Sequence, residues 1–330
     1  MLPRSRVLAA SFAALLSGAG LCAAETRGPQ YVLISFDGAN SIALWDRSLK
    51  LADATGARFT YFLSCVYLLS PEDRTLYRGP GKAAGRSNVG FAASREDATQ
   101  RLARIWAASQ TGHEIASHGC GHFDGKDWSK ADWRTEFGQF STVFRKAWEI
   151  NGATAPAGWA DFAAHGVKGF RVPYLSTGSA LDGALKEAGF AYDASGVSRG
   201  PQPPVEAGAR AEFALPMIPE GPSARRIIAM DYNLFVRHSG GIDRPSQADE
   251  FAERSYQAFA AAFRSEYDGA RVPLQMGFHF TLMNGGAYWT ALERFAAEFC
   301  VKPDVRCVSY GDYLRERRPG DAAAIAAAGG

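Results

Sequence analysis

The sequence predicts an α/β fold, a single domain on a mainly parallel sheet, and three observations carry that prediction. Short apolar runs of strand length alternate with longer segments whose apolar residues recur every three or four positions, which is the pattern of successive strand–helix units. Ser94-Arg-Glu-Asp stands where one of those helices would start and Ala188-Gly189 where another would stop. No stretch of the chain repeats another.

The elements follow in order. A strand is expected over Tyr31–Phe36 (YVLISF) and a helix over Ser41–Thr55, then a second strand over Arg58–Ser64. Ser70–Ser94 is rich in glycine and basic residues and reads as a long loop. Ser94-Arg-Glu-Asp opens a helix running to Thr111, with the serine placed to cap it. Strands are expected at Glu114–Ser117, Gly169–Val172, Ala191–Asp193, Arg226–Met230 and Leu274–Phe278. The intervening helices are Ser129–Asn151, Ser179–Ala188 (stopped by Gly189), Gln247–Ala270 and Tyr288–Phe299. Proline-rich Gly200–Arg225 reads as a long connection inside one domain. The domain is expected over residues 25–315, followed by a low-complexity tail over 316–330.

The first residues have the three parts of a secretory leader. Arg4 and Arg6 precede a short apolar run, Val7 to Leu21, and Cys22-Ala23-Ala24 supplies small residues for cleavage after Ala24. Leu21 fits poorly before a lipidated Cys22, so residues 1–24 are expected to be a cleaved signal peptide, with the product periplasmic or secreted. The whole chain has a formal charge of +2, and the leader holds two arginines and no acid, so the mature chain is neutral. A neutral chain has no electrostatic attraction for nucleic acid or an anionic membrane. No later run is apolar for long enough to span a bilayer. With 47% hydrophobic and 12% aromatic residues there is ample material for a core. Four cysteines outlast the leader. Cys300 and Cys307 bracket a short loop that a bridge would close, which leaves Cys65 and Cys120 as a second pair; the alternative is Cys120 as a free thiol or a metal ligand.

Chemistry-bearing residues gather just after the expected strands. Asp37 follows YVLISF, His118 and His122 follow EIAS, Arg171 and Tyr174 bound GFRVPY, Asp193 ends AYD, and His279 ends LQMGFH. Parallel strands converge at their C-terminal ends, where active sites form in barrels. This ordered set (SFDGA, HGCGH, RVPYL, YDAS and GFHF) resembles the polysaccharide deacetylase family, carbohydrate esterase family 4, over about Tyr31 to Phe280. The H-x-x-x-H and R-x-P-Y elements are the most specific, and the wording of RVPYL and YDAS is closer to the chitin-deacetylase-like branch. The resemblance implies a distorted (β/α) barrel of about seven repeats, a divalent metal, often zinc, and hydrolysis of N-acetyl groups on sugars.

The residue types suit those roles. His118 and His122 offer two imidazole nitrogens to one metal. Asp37 fits a general base, with Arg171 holding it ionised. The Tyr174 backbone N–H fits an oxyanion donor, and His279 a general acid near neutrality, with Asp193 as its support. One departure stands out. The family carries two adjacent aspartates in its first motif, the second a metal ligand, and here that position is Gly38. Three explanations compete: Asp37 itself ligates; Asp231 in AMDYN or Cys120 supplies the third ligand; or metal binding is weak. The other histidines read as structural, His113 packed at a strand start, His165 and His238 in loops. Helical acids read as solvated faces, and Trp128, Trp133, Tyr288 and Trp289 as core aromatics more often than sugar platforms. The function expected is therefore an exported, metal-dependent hydrolase of an N-acetylated glycan. The alternatives are a non-catalytic carbohydrate-binding protein on a degenerate barrel, and a hydrolase of a small amide or acetyl ester.

Overall fold

A computed structural model describes residues 27–317. The expected leader, residues 1–24, and all but the start of the expected tail lie outside the described residues.

The sheet grows from β1, Gln30–Gly38, whose residues are buried on both faces up to Gly38. Such a strand needs cover on two sides, and the near-continuous apolar run supplies it. β1 pairs in parallel with three neighbours. β2 (Thr60–Leu63) takes its C-terminal half and β10 (Val305–Cys307) its N-terminal end, while β9 (Leu274–His279) runs along the other edge. From β2 the parallel order continues through β3 (Glu114–Ser117), β4 (Gly169–Phe170), β5 (Tyr192–Ser198) and β7 (Arg210–Glu220). β6 (Val205–Ala207) and β8 (Arg225–Ile228) are antiparallel to β7. The barrel closes through the residues after β8. Ala229 donates to Pro216 in β7, Gly277 in β9 donates to Ala229, and Met230 bridges Gly277. So narrow a closure makes the barrel distorted.

Helices cover the outside: α1 (Ile42–Thr55), α2 (Arg95–Gln110), α3 (Lys130–Ile150), α4 (Trp159–His165), α5 (Leu181–Ala188), α6 (Asp231–Ser239), α7 (Ala248–Asp268), α8 (Met283–Phe299) and α9 (Tyr310–Arg317). Ser41, Ser94 and Ser129 each accept a backbone N–H at a helix start, and Ser129 forms a reciprocal capping box with Asp132. Gly189, at φ +75°, ends α5. No helix among the described residues is long and apolar enough to cross a membrane. Both expected disulfides, Cys65–Cys120 and Cys300–Cys307, are present.

Three expectations are corrected. Gly200–Arg225 is not a bare connection, because it contains β6 and the eleven-residue β7. The strand at Arg226–Met230 starts earlier and is antiparallel to β7. His165 and His238 lie in α4 and α6 rather than in loops; His238 is buried beside Glu220 and stacks on Phe251 and Tyr288.

Candidate active site

The C-terminal ends of β1, β3, β4 and β9 carry the site. Asp37 and His279 occupy paired register positions on adjacent parallel strands, so their side chains leave the sheet on the same face. His118 immediately follows β3 and Arg171 immediately follows β4. Asp37, His118 and His279 line a cavity of about 640 Å³ together with His122 and Tyr174, and Arg171 lies buried behind Asp37.

Arg171 organises one side. Fully buried, it donates from Nη1 to Asp37 Oδ1 at 2.8 Å and to Ser35 Oγ at 2.9 Å, and from Nη2 to Tyr310 Oη at 3.0 Å. Nε donates to the Ala194 carbonyl at 3.0 Å, and the guanidinium lies 4.2 Å from the centre of the Phe62 ring. Every edge of the fork is used, which is how a buried cation is tolerated. Burial pushes the Asp37 carboxyl up, but Arg171, His118 and His279 outweigh it and hold it below its ordinary 3.8.

The two histidines of HGCGH come together with ring centres 4.9 Å apart. His118 Nδ1 lies 2.7 Å from the Arg171 carbonyl. A carbonyl only accepts, so Nδ1 carries the proton and Nε2 keeps its lone pair. His122 Nδ1 is buried without a hydrogen-bond partner. Burial lowers both imidazoles, His122 to about 3 with further help from His118, so both are neutral. Neutral rings with unshared lone pairs, one oriented by a carbonyl from behind, fit two ligands of a divalent metal. No group of three His, Cys, Asp or Glu side chains converges in ligand geometry among the described residues.

The loop joining the two histidines is held from behind by Glu136 of α3. Its Oε1 accepts the Cys120 and Gly121 N–H groups at 2.6 and 3.1 Å, and Oε2 accepts Tyr77 Oη at 2.8 Å. Only 2% exposed, Glu136 is no solvated helical acid. Gly119, at φ +69°, gives the loop its turn, and a side chain at Gly121 would meet Tyr77 Oη at 2.4 Å. Glu136 was legible in principle, because it shares the apolar face of α3 with Trp133, Phe137 and Phe140.

On the other side Asp231, the first residue of α6 and fully buried, accepts His279 Nδ1–H at 2.6 Å and the His279 backbone N–H at 2.7 Å. Burial alone would lower the His279 pKa; Asp231, then Asp37, outweigh it and raise it above 6.5. Strained backbone clusters here. His122, Tyr174 and Leu175 have φ of +53°, +62° and +53°, and Ala39, beside Gly38, has +51°.

Three expectations change. The carboxylate supporting His279 is Asp231, not Asp193. β5 runs on to Ser198, so Asp193 lies inside the strand and Val197 reaches the cavity instead; Asp193 bonds Ser195 and lines a separate pocket with Arg210. Both Asp231 oxygens are engaged by His279, so Asp231 faces the histidine rather than a metal. Cys120 is tied to Cys65 and has no thiolate to offer. Trp133, Tyr288 and Trp289 are core residues. Tyr67 and Tyr232 also line the cavity and had no motif to mark them.

No family model matches the sequence, and no curated protein is similar to it in sequence. Solved structures do resemble it. A candidate polysaccharide deacetylase from Mycobacterium smegmatis matches 90% of this chain and 93% of its own, with a TM-score of 0.55 at 18% identity. A second, from Pseudomonas aeruginosa PAO1, matches 88% and 92%, with a TM-score of 0.51 at 16% identity. At these identities the likeness is one of architecture, and the chain has the fold of the polysaccharide deacetylases.

Proposed function

We propose that the chain is an exported hydrolase that removes N-acetyl groups from an amino-sugar polysaccharide or oligosaccharide. The observation that carries this is the opposition of two differently tuned groups in one cavity. Arg171 bonds Asp37 and holds its carboxyl below the ordinary range, and Asp231 bonds His279 and raises its imidazole above the ordinary one. Amide hydrolysis needs that combination, a base for water and an acid for the leaving amine.

In this reading Asp37 takes a proton from the attacking water, and His279 Nε2 gives one to the departing nitrogen. The Tyr174 N–H, at the start of a 3-10 turn with no carbonyl before it to satisfy it, turns to the developing oxyanion. His118 and His122 would hold a divalent metal, in the first instance zinc, which supplies a Lewis acid to polarise the acyl carbonyl. The paired cysteines and the leader sequence support an oxidising, periplasmic or secreted location.

A second reading, carbohydrate binding without turnover, is favoured by Gly38 and by the lack of a three-ligand group among the described residues. Acetate release from a panel of N-acetylated glycans, acetylated xylan and small amides separates the readings. Release from the glycans alone is expected. Binding of a glycan with no release, unchanged in Asp37→Asn, would favour the second.

A further inference from the structure

We propose that Tyr67 is a ligand of the divalent metal alongside His118 and His122, its phenolic oxygen standing in for the carboxylate that Gly38 lacks. This rests on the reading of the two histidines as ligands given above. Cys120 is locked in a disulfide, Asp231 is engaged by His279, and Asp37 is held by Arg171. The site therefore needs an oxygen donor from a residue other than these, and a phenol is one.

The chain path brings that phenol to Gly38. β1 and β2 end side by side, with Gly38 paired to Leu63. Just past Leu63 the chain turns into the 3-10 segment Cys65–Leu68, which carries Tyr67. Tyr67 Oη is the nearest atom to where a Cβ on Gly38 would lie, at 3.9 Å. The space that a side chain at Gly38 would enter is thus faced by a phenol from the neighbouring strand end.

The turn is fixed to both partners of the site. Cys65 is bonded to Cys120, midway between His118 and His122, and its backbone N–H donates to the Gly119 carbonyl at 3.2 Å. Arg101, 4% exposed, donates from Nη1 to the Tyr67 carbonyl at 2.6 Å and from Nε to the Asn40 carbonyl at 2.5 Å. That clamp ties the turn to the segment following Gly38. Phenol and imidazoles are therefore carried on one cross-linked unit.

The oxygen itself is uncommitted. Tyr67 is 6% exposed and lines the reaction cavity with Gly38, His118 and His122. Among the described residues none hydrogen-bonds its Oη. Buried polar oxygens are seldom left unmatched, so this one calls for a partner inside the cavity. Burial raises the phenol to about 12, and it is protonated when no cation is near. On ligation the O–H bond breaks, the proton leaves to solvent, and the oxygen pairs with the cation.

The test titrates wild type, Tyr67→Phe, Gly38→Asp and the double variant with zinc by calorimetry, with no substrate present. Tyr67→Phe removes only an oxygen that bonds nothing in the fold, so the variant folds. Zinc affinity is expected to fall at least about 10-fold in Tyr67→Phe, since groups that merely orient a ligand already contribute that much. The same substitution is expected to cost little in the Gly38→Asp background, where a carboxylate fills the position. No loss in Tyr67→Phe, or an equal loss in both backgrounds, would overturn the proposal. Copper(II) gives a check that does not need Gly38→Asp to fold. Loaded wild type is expected to show a visible phenolate-to-copper charge-transfer band that Tyr67→Phe lacks; identical spectra would overturn the ligand. His118→Ala separates this inference from the histidine reading. Zinc binding lost in His118→Ala yet unchanged in Tyr67→Phe overturns the phenol alone, and no zinc binding by wild type overturns both.

Discussion

Asp231 holds His279 at two points, its Oδ1 2.6 Å from the ring Nδ1 and its Oδ2 2.7 Å from the backbone nitrogen. One buried carboxylate therefore sets both the orientation of the imidazole and its charge. Burial works against the imidazolium, and the neighbouring charges of Asp231 and Asp37 reverse the balance.

The sign of the pH effect follows. A general acid must be protonated, so a His279 pKa above 6.5 places the alkaline limb of the rate profile above 6.5. In Asp231→Asn the limb moves to lower pH and kcat falls by about 10²- to 10⁴-fold, the range of a lost acid–base contribution. The same shift links to stability. A raised histidine pKa stabilises the fold below its unfolded value and loses that stabilisation as pH rises through the folded pKa. Asp231→Asn therefore flattens the dependence of Tm on pH across neutrality, which thermal melts at several pH values would record.

The metal assignment separates two histidines of different surroundings. His118→Ala removes a ring oriented by the Arg171 carbonyl, and divalent-cation binding measured by calorimetry is expected to be lost. His165 is 71% exposed at its side chain, on α4, and His165→Ala leaves binding unchanged. Equal losses in the two variants would count against the site.

Glu136 provides a positioning test. In Glu136→Ala the Cys120 and Gly121 N–H groups and the Tyr77 hydroxyl lose their acceptor, at about 1–3 kcal/mol for each buried group left unsatisfied. Glu136→Gln keeps the shape and one acceptor oxygen. It is expected to fold with a smaller loss of Tm yet bind divalent metal more weakly, because the spacing of His118 and His122 is set through this loop. Unchanged metal affinity would reduce Glu136 to a purely structural residue.

Gly38 tests the missing carboxylate. A Cβ there would come no closer than 3.9 Å to any atom, the nearest being Tyr67 Oη, so there is space for a side chain, although φ is +90°. Gly38→Asp is expected to cost roughly 1–2 kcal/mol of stability from the backbone conformation and to raise divalent-metal affinity at least several-fold. Dialysis at fixed free zinc would show it.

Arg171→Ala leaves Asp37 buried without its cation, a loss expected to cost about 3–5 kcal/mol. Denaturant titration reads that cost directly, and Arg171→Lys recovers only part of it because three further acceptors need the guanidinium fork.

Most of the architecture was legible. β1 and β2 read as near-continuous apolar runs, β9 as an alternation of Leu274, Met276 and Phe278 with other residues, and serine caps marked the starts of α1, α2 and α3. β7 was hidden by Pro216 and Pro219, whose lack of an N–H argues against a strand; Pro216 stands opposite Ser198 at the end of the pairing with β5, and its carbonyl accepts the Ala229 N–H. In the site, residues just after strands were readable because parallel strands end together. Partnerships were not. Asp193 and Asp231 both follow or sit within short apolar runs, and only the extension of β5 and the entry angle of α6 decide which one meets His279. Tyr67 reaches the site from a 3-10 turn with no motif spacing to mark it, and Glu136 was marked only by its place on the apolar face of α3.

The most direct measurement is acetate released from the N-acetylglucosamine tetramer by zinc-supplemented wild type, Asp37→Asn and His279→Ala under one set of conditions. Release by wild type that falls by about 10²-fold or more in each variant is the expected result. No release by wild type, or release equal in all three, would contradict the assignment of Asp37 and His279 as base and acid.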